Sequence, residues 1–275
     1  LNTFSEKNQE RIRALASEMR SKHHAMEWGV SPGELIGWEG FSCAECDLGE
    51  KNTIEMITRS SGNIFKKVKA ALITSEKRVL VDPTLYHAQK IFAQAHELGH
   101  HIIPDHTEAF YLCSETDLNP ITRMKAEFEA NIFADEILLP TPLMNKIYDA
   151  YPLSMETILL LAELSDVPVL RVAIRYVESC DKQCAILMLS IDVDSEGNPG
   201  LRLKGQAWSA SWEGMYKKKL IADFQFFPHN HNLSKVVTSE AVGAVFRNTI
   251  RLEEVDRIFQ VHTVFNGYNV FALLF

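Results

Sequence analysis

Two histidines four residues apart constrain this chain more than any other feature. They stand in Ala95-His96-Glu97-Leu98-Gly99-His100, and Ile91, Phe92, Ala95, Leu98 and Ile102 around them recur at the spacing of one helical face. On an α-helix, positions i and i+4 project from the same side, so both imidazoles can reach a single divalent ion. Glu97 is then next to the open coordination position. Zinc there lowers the pKa of water toward neutrality and polarises a carbonyl, while the carboxylate takes the proton and returns it to a leaving amine. A purely structural helix would need no glutamate at that place.

A catalytic zinc takes three protein ligands. The segment 125–140 is a second helical pattern, with apolar Phe128, Ile132, Phe133, Ile137 and Leu138 and four acids. Glu127 and Asn131 are i, i+4 partners, so Glu127 could ligate while Asn131 or Asp135 orients a ligating histidine from behind. Glu129 is displaced from Glu127 by about 200° around the helix, so only one of them can face the ion. Spacing alone does not choose between them.

The pairing of His-Glu-Leu-Gly-His at 96–100 with Glu-x-Glu-Ala-Asn-x-Phe-Ala at 127–134, followed by Ile-Leu-Leu-Pro at 137–140, resembles the ImmA/IrrE metallopeptidases. The resemblance implies that Glu127, rather than Glu129, is the third ligand. It is strongest to the members that regulate the response to radiation, DNA damage and desiccation. It therefore implies an α+β multidomain chain, with a zincin-like metallopeptidase domain at 1–140, a helix-turn-helix-like domain at 141–183 and a GAF-like sensor domain at 184–275. It also implies site-specific cleavage of a helix-turn-helix transcriptional repressor, which is thus the expected substrate.

The 275 residues suffice for two or three domains, and a hydrophobic content of 46% suits globular cores. Residues 1–28 mix charges into an amphipathic helix with Phe4, Ile12, Leu15 and Met19 on its core face, unlike a signal peptide. No run of 18 apolar residues occurs, so a cytoplasmic location without membrane contact is expected. The five cysteines read as reduced thiols; Cys43 and Cys46 have Cys-x-x-Cys spacing, but Cys180 and Cys184 are remote in sequence.

Ser31-Pro32-Gly33 and Ser61-Gly62-Asn63 read as turns. Residues 70–74 and 78–81 flank Ser75-Glu76-Lys77 as a β-hairpin, a candidate rail on which an extended substrate adds as a further strand. Asp82-Pro83-Thr84 is expected to begin the histidine-bearing helix and Pro104 to end it, with a loop over 105–122. Tyr86, His101, His106 and Tyr111 are the nearby candidates for an oxyanion donor.

Ile158–Leu164 and Val169–Tyr176 form a helix pair around Ser165-Asp166-Val167-Pro168, of helix-turn-helix dimensions. Between Thr141 and Ala185, however, four basic residues stand against six acidic ones, a net of −2. Arg171 and Arg175, one turn apart, read as a solvated face, and sequence-specific DNA binding is not expected. Farther on, 184–193 and 201–208 are strand-like around a turn at 194–200, a helix is expected near 239–248, and two last strands meet at Asn266-Gly267. The signal or ligand of this last domain is not written in any residue. Lys217-Lys218-Lys219 reads as solvated and His229-Asn230-His231 as a loop.

The expected activity is that of a zinc endopeptidase, with Mn2+ or Fe2+ as alternative ions in the cell. The alternative is a DNA- or protein-binding transcriptional regulator with a non-catalytic metal site. Glu97 argues against it, because a structural site would be closed by a fourth protein ligand and needs no base.

Overall fold

The computed structural model describes residues 6–48, 69–106, 120–216, 225–237, 242–252 and 257–275, without the side chains of 120–124. Helices and sheets are mixed, and the chain divides into two compact units, Leu1–Leu143 with Glu163–Pro168 and Met144–Ala162 with Val169–Phe275. The turn read at 61–63, Phe4, Tyr111 and Lys217–Lys219 lie outside the described residues.

The first unit opens with α1 (Glu6–Lys22), whose Ile12, Ala16 and Met19 are buried at helical spacing. Helix α2 (Pro32–Trp38) replaces the turn expected at Ser31-Pro32-Gly33. The Ser31 side chain accepts a hydrogen bond from the Glu34 amide at 3.3 Å, and Pro32 sits in the first turn, where its missing N–H has no helical partner to lose. Strands β1 (Ser42–Glu45), β2 (Ala70–Ile73) and β3 (Arg78–Val81) form one sheet in the order β1-β3-β2, with β1 parallel and β2 antiparallel to β3. The hairpin β2–β3 is where the sequence puts it; its reversal passes through Lys77 at φ +52°.

Helix α3 (His87–Ile102) carries the histidine motif. It starts later than Asp82-Pro83-Thr84, because the Asp82 carboxylate accepts from the Thr84 amide at 2.8 Å and its hydroxyl at 2.7 Å, closing a local turn. Helix α4 (Pro120–Leu138) begins inside the stretch read as a loop, of which 107–119 are not described. Near the end of α4, the Ile137 carbonyl accepts from the guanidinium of Arg20, which also donates to the Glu27 carbonyl at 2.8 Å. Arg20 is thus buried yet supplied with acceptors, one of them among the last carbonyls of α4, which have no partner within the helix. Helix α5 (Thr141–Ala150) follows with Pro142 in its first turn, so the prolines here open a helix rather than only ending one.

Helices α6 (Met155–Ser165) and α7 (Val169–Ser179) realise the expected helix pair. The second unit is built on an antiparallel sheet of β4 (Ala185–Val193), β5 (Pro199–Trp208), β6 (Phe226–Pro228), β7 (Val245–Leu252), β8 (Arg257–Phe265) and β9 (Asn269–Leu274), in the order β6-β5-β4-β9-β8-β7. Leu187, Leu201, Ile250, Val261 and Ala272 share a core with Trp212 of α8 (Ala210–Tyr216). The helix expected near 239–248 is not formed over 245–248. There the β-branched and aromatic residues pair in β7 with β8, Val245 opposite Val264 and Phe246 opposite Thr263. The turn at Asn266-Gly267 is as expected, with Gly267 at φ +93°.

Arg175 corrects the expectation of a solvated face. It is 4% exposed and Arg171 is half-buried, because α7 packs against β4 and β5 and turns Val172, Ala173, Tyr176 and Val177 inward. Among the described residues, no helix is long and apolar enough to cross a membrane.

Candidate metal centre

Helices α3 and α4 pack against each other, and Gly99 of α3 lies close against α4. A Cβ on Gly99 would stand 3.2 Å from the Phe133 Cβ and 3.3 Å from the Ala130 Cα. The two helices meet where α3 turns its histidines toward α4. His96 Nε2 and His100 Nε2 lie 3.1 Å apart, Glu127 Oε2 is 3.3 Å from His96 Nε2, and Glu127 Oε1 is 3.8 Å from His100 Nε2. Their ligand atoms all fall within 4.8 Å of one another.

This donor set fits a zinc-type ion. Ligand atoms at about 2.0 to 2.1 Å from a tetrahedral ion are about 3.3 Å apart, and the separations of 3.1 to 3.8 Å bracket that figure. Two neutral imidazoles and one carboxylate leave a coordination position open. Glu127 keeps about half of its side chain exposed, so the cluster faces solvent on the side of α4.

Glu97 follows His96 on α3, is half-buried, and accepts a hydrogen bond from the Leu72 amide of β2. Burial pushes its carboxyl up to about 7; the proximity of Glu127 adds to the rise and that of His96 opposes it. Burial holds the His100 imidazole down, to about 3, so the ring is neutral, as a metal ligand must be.

Glu129 faces the other way. It is 1% exposed, accepts from Asn8 Nδ2 at 2.6 Å and lies 2.9 Å from His106 Nε2. His106 in turn places Nδ1 at 3.1 Å from His100 Nδ1. With both ring nitrogens so engaged, His106 is no oxyanion donor. Of the other candidates, His101 packs on Phe41 with ring centroids 4.4 Å apart, beside Glu39, and Tyr86 is exposed at the N-cap of α3. Asn131 and Asp135 follow Glu127 at successive turns of α4, Asn131 half-buried and Asp135 buried. The hydrogen-bond partner behind His100 is His106, a contact the sequence reading did not find. The signal was there: a glutamate turned to the buried side of α4 needs a partner, and His106 is the first histidine beyond α3. Among the described residues, Cys43, Cys180 and Cys184 form no disulfide.

Residues 52–175 match the family described as the IrrE N-terminal-like domain, a peptidase family. No curated protein sequence matches the chain. Among solved structures, a Mycobacterium tuberculosis transcriptional regulator is similar in fold, with a TM-score of 0.58 and 15% identity over 96% of this chain and 86% of that one.

Proposed function

We propose that the chain, whose residues 52–175 match the IrrE N-terminal-like peptidase family, is a metal-dependent endopeptidase that cuts a helix-turn-helix transcriptional repressor. The observation that carries this reading is the convergence of His96, His100 and Glu127 on one point with Glu97 beside it.

His96, His100 and Glu127 would hold the ion, with Zn2+ the first choice for a His, His, Glu set. When bound, it supplies a Lewis acid that polarises the scissile carbonyl and lowers the pKa of water. Glu97 takes the proton of the attacking water and delivers it to the leaving amide nitrogen, so the carboxylate is regenerated in each turnover. A carboxyl whose pKa lies near neutrality suits both transfers. The Leu72 amide fixes its orientation. Among the described residues strand β2 is an edge of its sheet, and an extended substrate segment could add there as a further strand next to Glu97.

The choice of a repressor follows the sequence resemblance together with charge. The chain carries a formal net charge of −8, and a repressor needs a basic surface to read DNA, so the two attract. Induction of a radiation, DNA-damage or desiccation response would follow from loss of the repressor. We assign 1–140 to peptidase activity, 141–183 to a helix-turn-helix-like element and 184–275 to a GAF-like sensor. The six-stranded antiparallel sheet supports the last assignment. Asn131 and Asp135 remain candidates for supporting the ligands.

The test is incubation of the zinc-loaded chain with a candidate repressor and mass analysis of the products. A single cut that is absent with Glu97→Gln, although that variant still binds zinc, is the expected result. Turnover by Glu97→Gln equal to that of the unmodified chain would overturn the proposed mechanism.

A further inference from the structure

Behind His100 runs a chain of buried side chains that the proposed reaction does not use. His100 Nδ1 lies 3.1 Å from His106 Nδ1, His106 Nε2 lies 2.9 Å from Glu129 Oε2, and Glu129 Oε1 accepts from Asn8 Nδ2 at 2.6 Å, with Lys125 Nζ at 3.4 Å. His100, His106 and Glu129 are 3%, 2% and 1% exposed, so water does not compete for these bonds.

We propose that His106 and Glu129 are positioning residues, a carboxylate–imidazole relay that fixes the ring orientation and tautomer of His100 so that its Nε2 is presented to the metal. The inference rests on the metal-peptidase reading above.

A neutral imidazole has one donor and one acceptor nitrogen. Between two facing Nδ1 atoms, one ring must donate and the other accept. If His106 donated from Nδ1, its Nε2 would be bare and would turn a lone pair toward the Glu129 carboxylate, which has none but acceptor oxygens. The carboxylate therefore selects the opposite arrangement: His106 donates from Nε2 to Glu129 and accepts at Nδ1 from His100. His100 is then protonated at Nδ1 and carries its lone pair at Nε2, the atom that faces His96 and Glu127. A ligating histidine held by a carboxylate in this way is also a more basic ligand. The relay gives Glu129 a task distinct from that of Glu127, two positions away on the same helix. Sequence spacing alone did not separate them.

Zn2+ affinity of the full chain, measured by competition with a chromogenic chelator, tests this alongside the melting temperature of the metal-free protein. His106→Leu should bind Zn2+ about 10- to 100-fold more weakly, the range typical of lost ligand support. His106→Asn, whose amide oxygen can accept from His100, should recover part of that loss, and Glu129→Gln, close to isosteric, should fall between it and the unmodified chain. Long-range 1H–15N spectra of the zinc-loaded unmodified chain should show His100 protonated at Nδ1 and His106 at Nε2, a readout independent of any variant's folding. Zn2+ affinity within threefold of normal in folded His106→Leu, or His106 protonated at Nδ1, overturns the relay alone. Failure of the unmodified chain to bind Zn2+ overturns the metal-peptidase reading and the relay with it.

Discussion

Gly99 lies against Phe133 so closely that a Cβ there would come within 3.2 Å of two Phe133 side-chain carbons. The contact lies between the two helices that carry His96, His100 and Glu127, so the spacing of those side chains depends on it. The Ala130 Cα at 3.3 Å closes the other side, and as backbone it cannot rotate away. We predict that Gly99→Ala costs about 1 to 3 kcal/mol, as overpacking of a filled site does. It should also weaken Zn2+ binding, because the helices must part. Chemical denaturation and chelator competition on one preparation check both. Unchanged stability together with unchanged affinity would show that the crossing has slack.

Glu127 and Glu129 should respond oppositely to substitution by alanine. Loss of Glu127 removes a proposed ligand with half its surface exposed, so metal binding should fail while the metal-free fold is little changed. Loss of Glu129 takes away the carboxylate that buried His106 engages and that half-buried Asn8 donates to, which costs about 1 to 3 kcal/mol even without metal. Melting of the metal-free variants separates the two. Equal destabilisation by both would contradict the assignment.

Much of this site is legible in the sequence, because helical spacing is a local property. The i, i+4 histidines, the helical acids and the hairpin ahead of them need no knowledge of the rest of the chain. What escaped the reading depends on partners remote in sequence. Glu129 finds Asn8 from α1 and His106 from beyond α3, contacts that no periodicity encodes. Arg175 looked solvated because charge was weighed without the sheet that covers α7. Val245 to Asn248 carried a mixed pattern that pairing with β8 decided in favour of a strand.

Glu39 ties α1 to the end of α2. Its carboxylate is 2.7 Å from Lys22 Nζ and 3.4 Å from His23 Nε2. The Lys22 hydrogen bond, foremost, together with His23, holds the Glu39 carboxyl below the usual glutamate range against the opposing effect of burial. A depressed folded-state pKa stabilises the protein above the unfolded-state pKa, and that stability is lost as pH falls through the folded value. We predict that Glu39→Gln lowers the melting temperature at pH 7, but that the difference shrinks as pH falls below the ordinary glutamate range of about 4.3. The effect should not exceed about 1 kcal/mol, since Lys22 is 59% exposed and solvent screens it. A deficit that is the same at pH 7 and at about pH 3 would assign the effect to packing instead.

The helix pair α6–α7 has the dimensions of a DNA-reading element, yet we predict that this chain does not bind DNA sequence-specifically. A recognition helix must offer side chains outward to base edges and place cations against phosphates. Helix α7 instead buries Val172, Ala173, Tyr176 and Val177, and Arg175 among them is 4% exposed. The formal net charge of −8 adds long-range repulsion from a polyanion and leaves little counterion release to gain. The same charge favours a basic protein substrate, so cleavage of a repressor should slow as salt rises, on the scale of a Debye length of about 8 Å at physiological ionic strength. Cleavage of a short neutral peptide should vary much less. Arg175→Ala should act on stability, since it removes a buried cation, and leave turnover of that short peptide unchanged. Titration with a promoter-length duplex against random competitor DNA decides the matter. Selective binding at physiological salt, lost in a folded Arg171→Ala variant, would show that the chain acts at DNA itself.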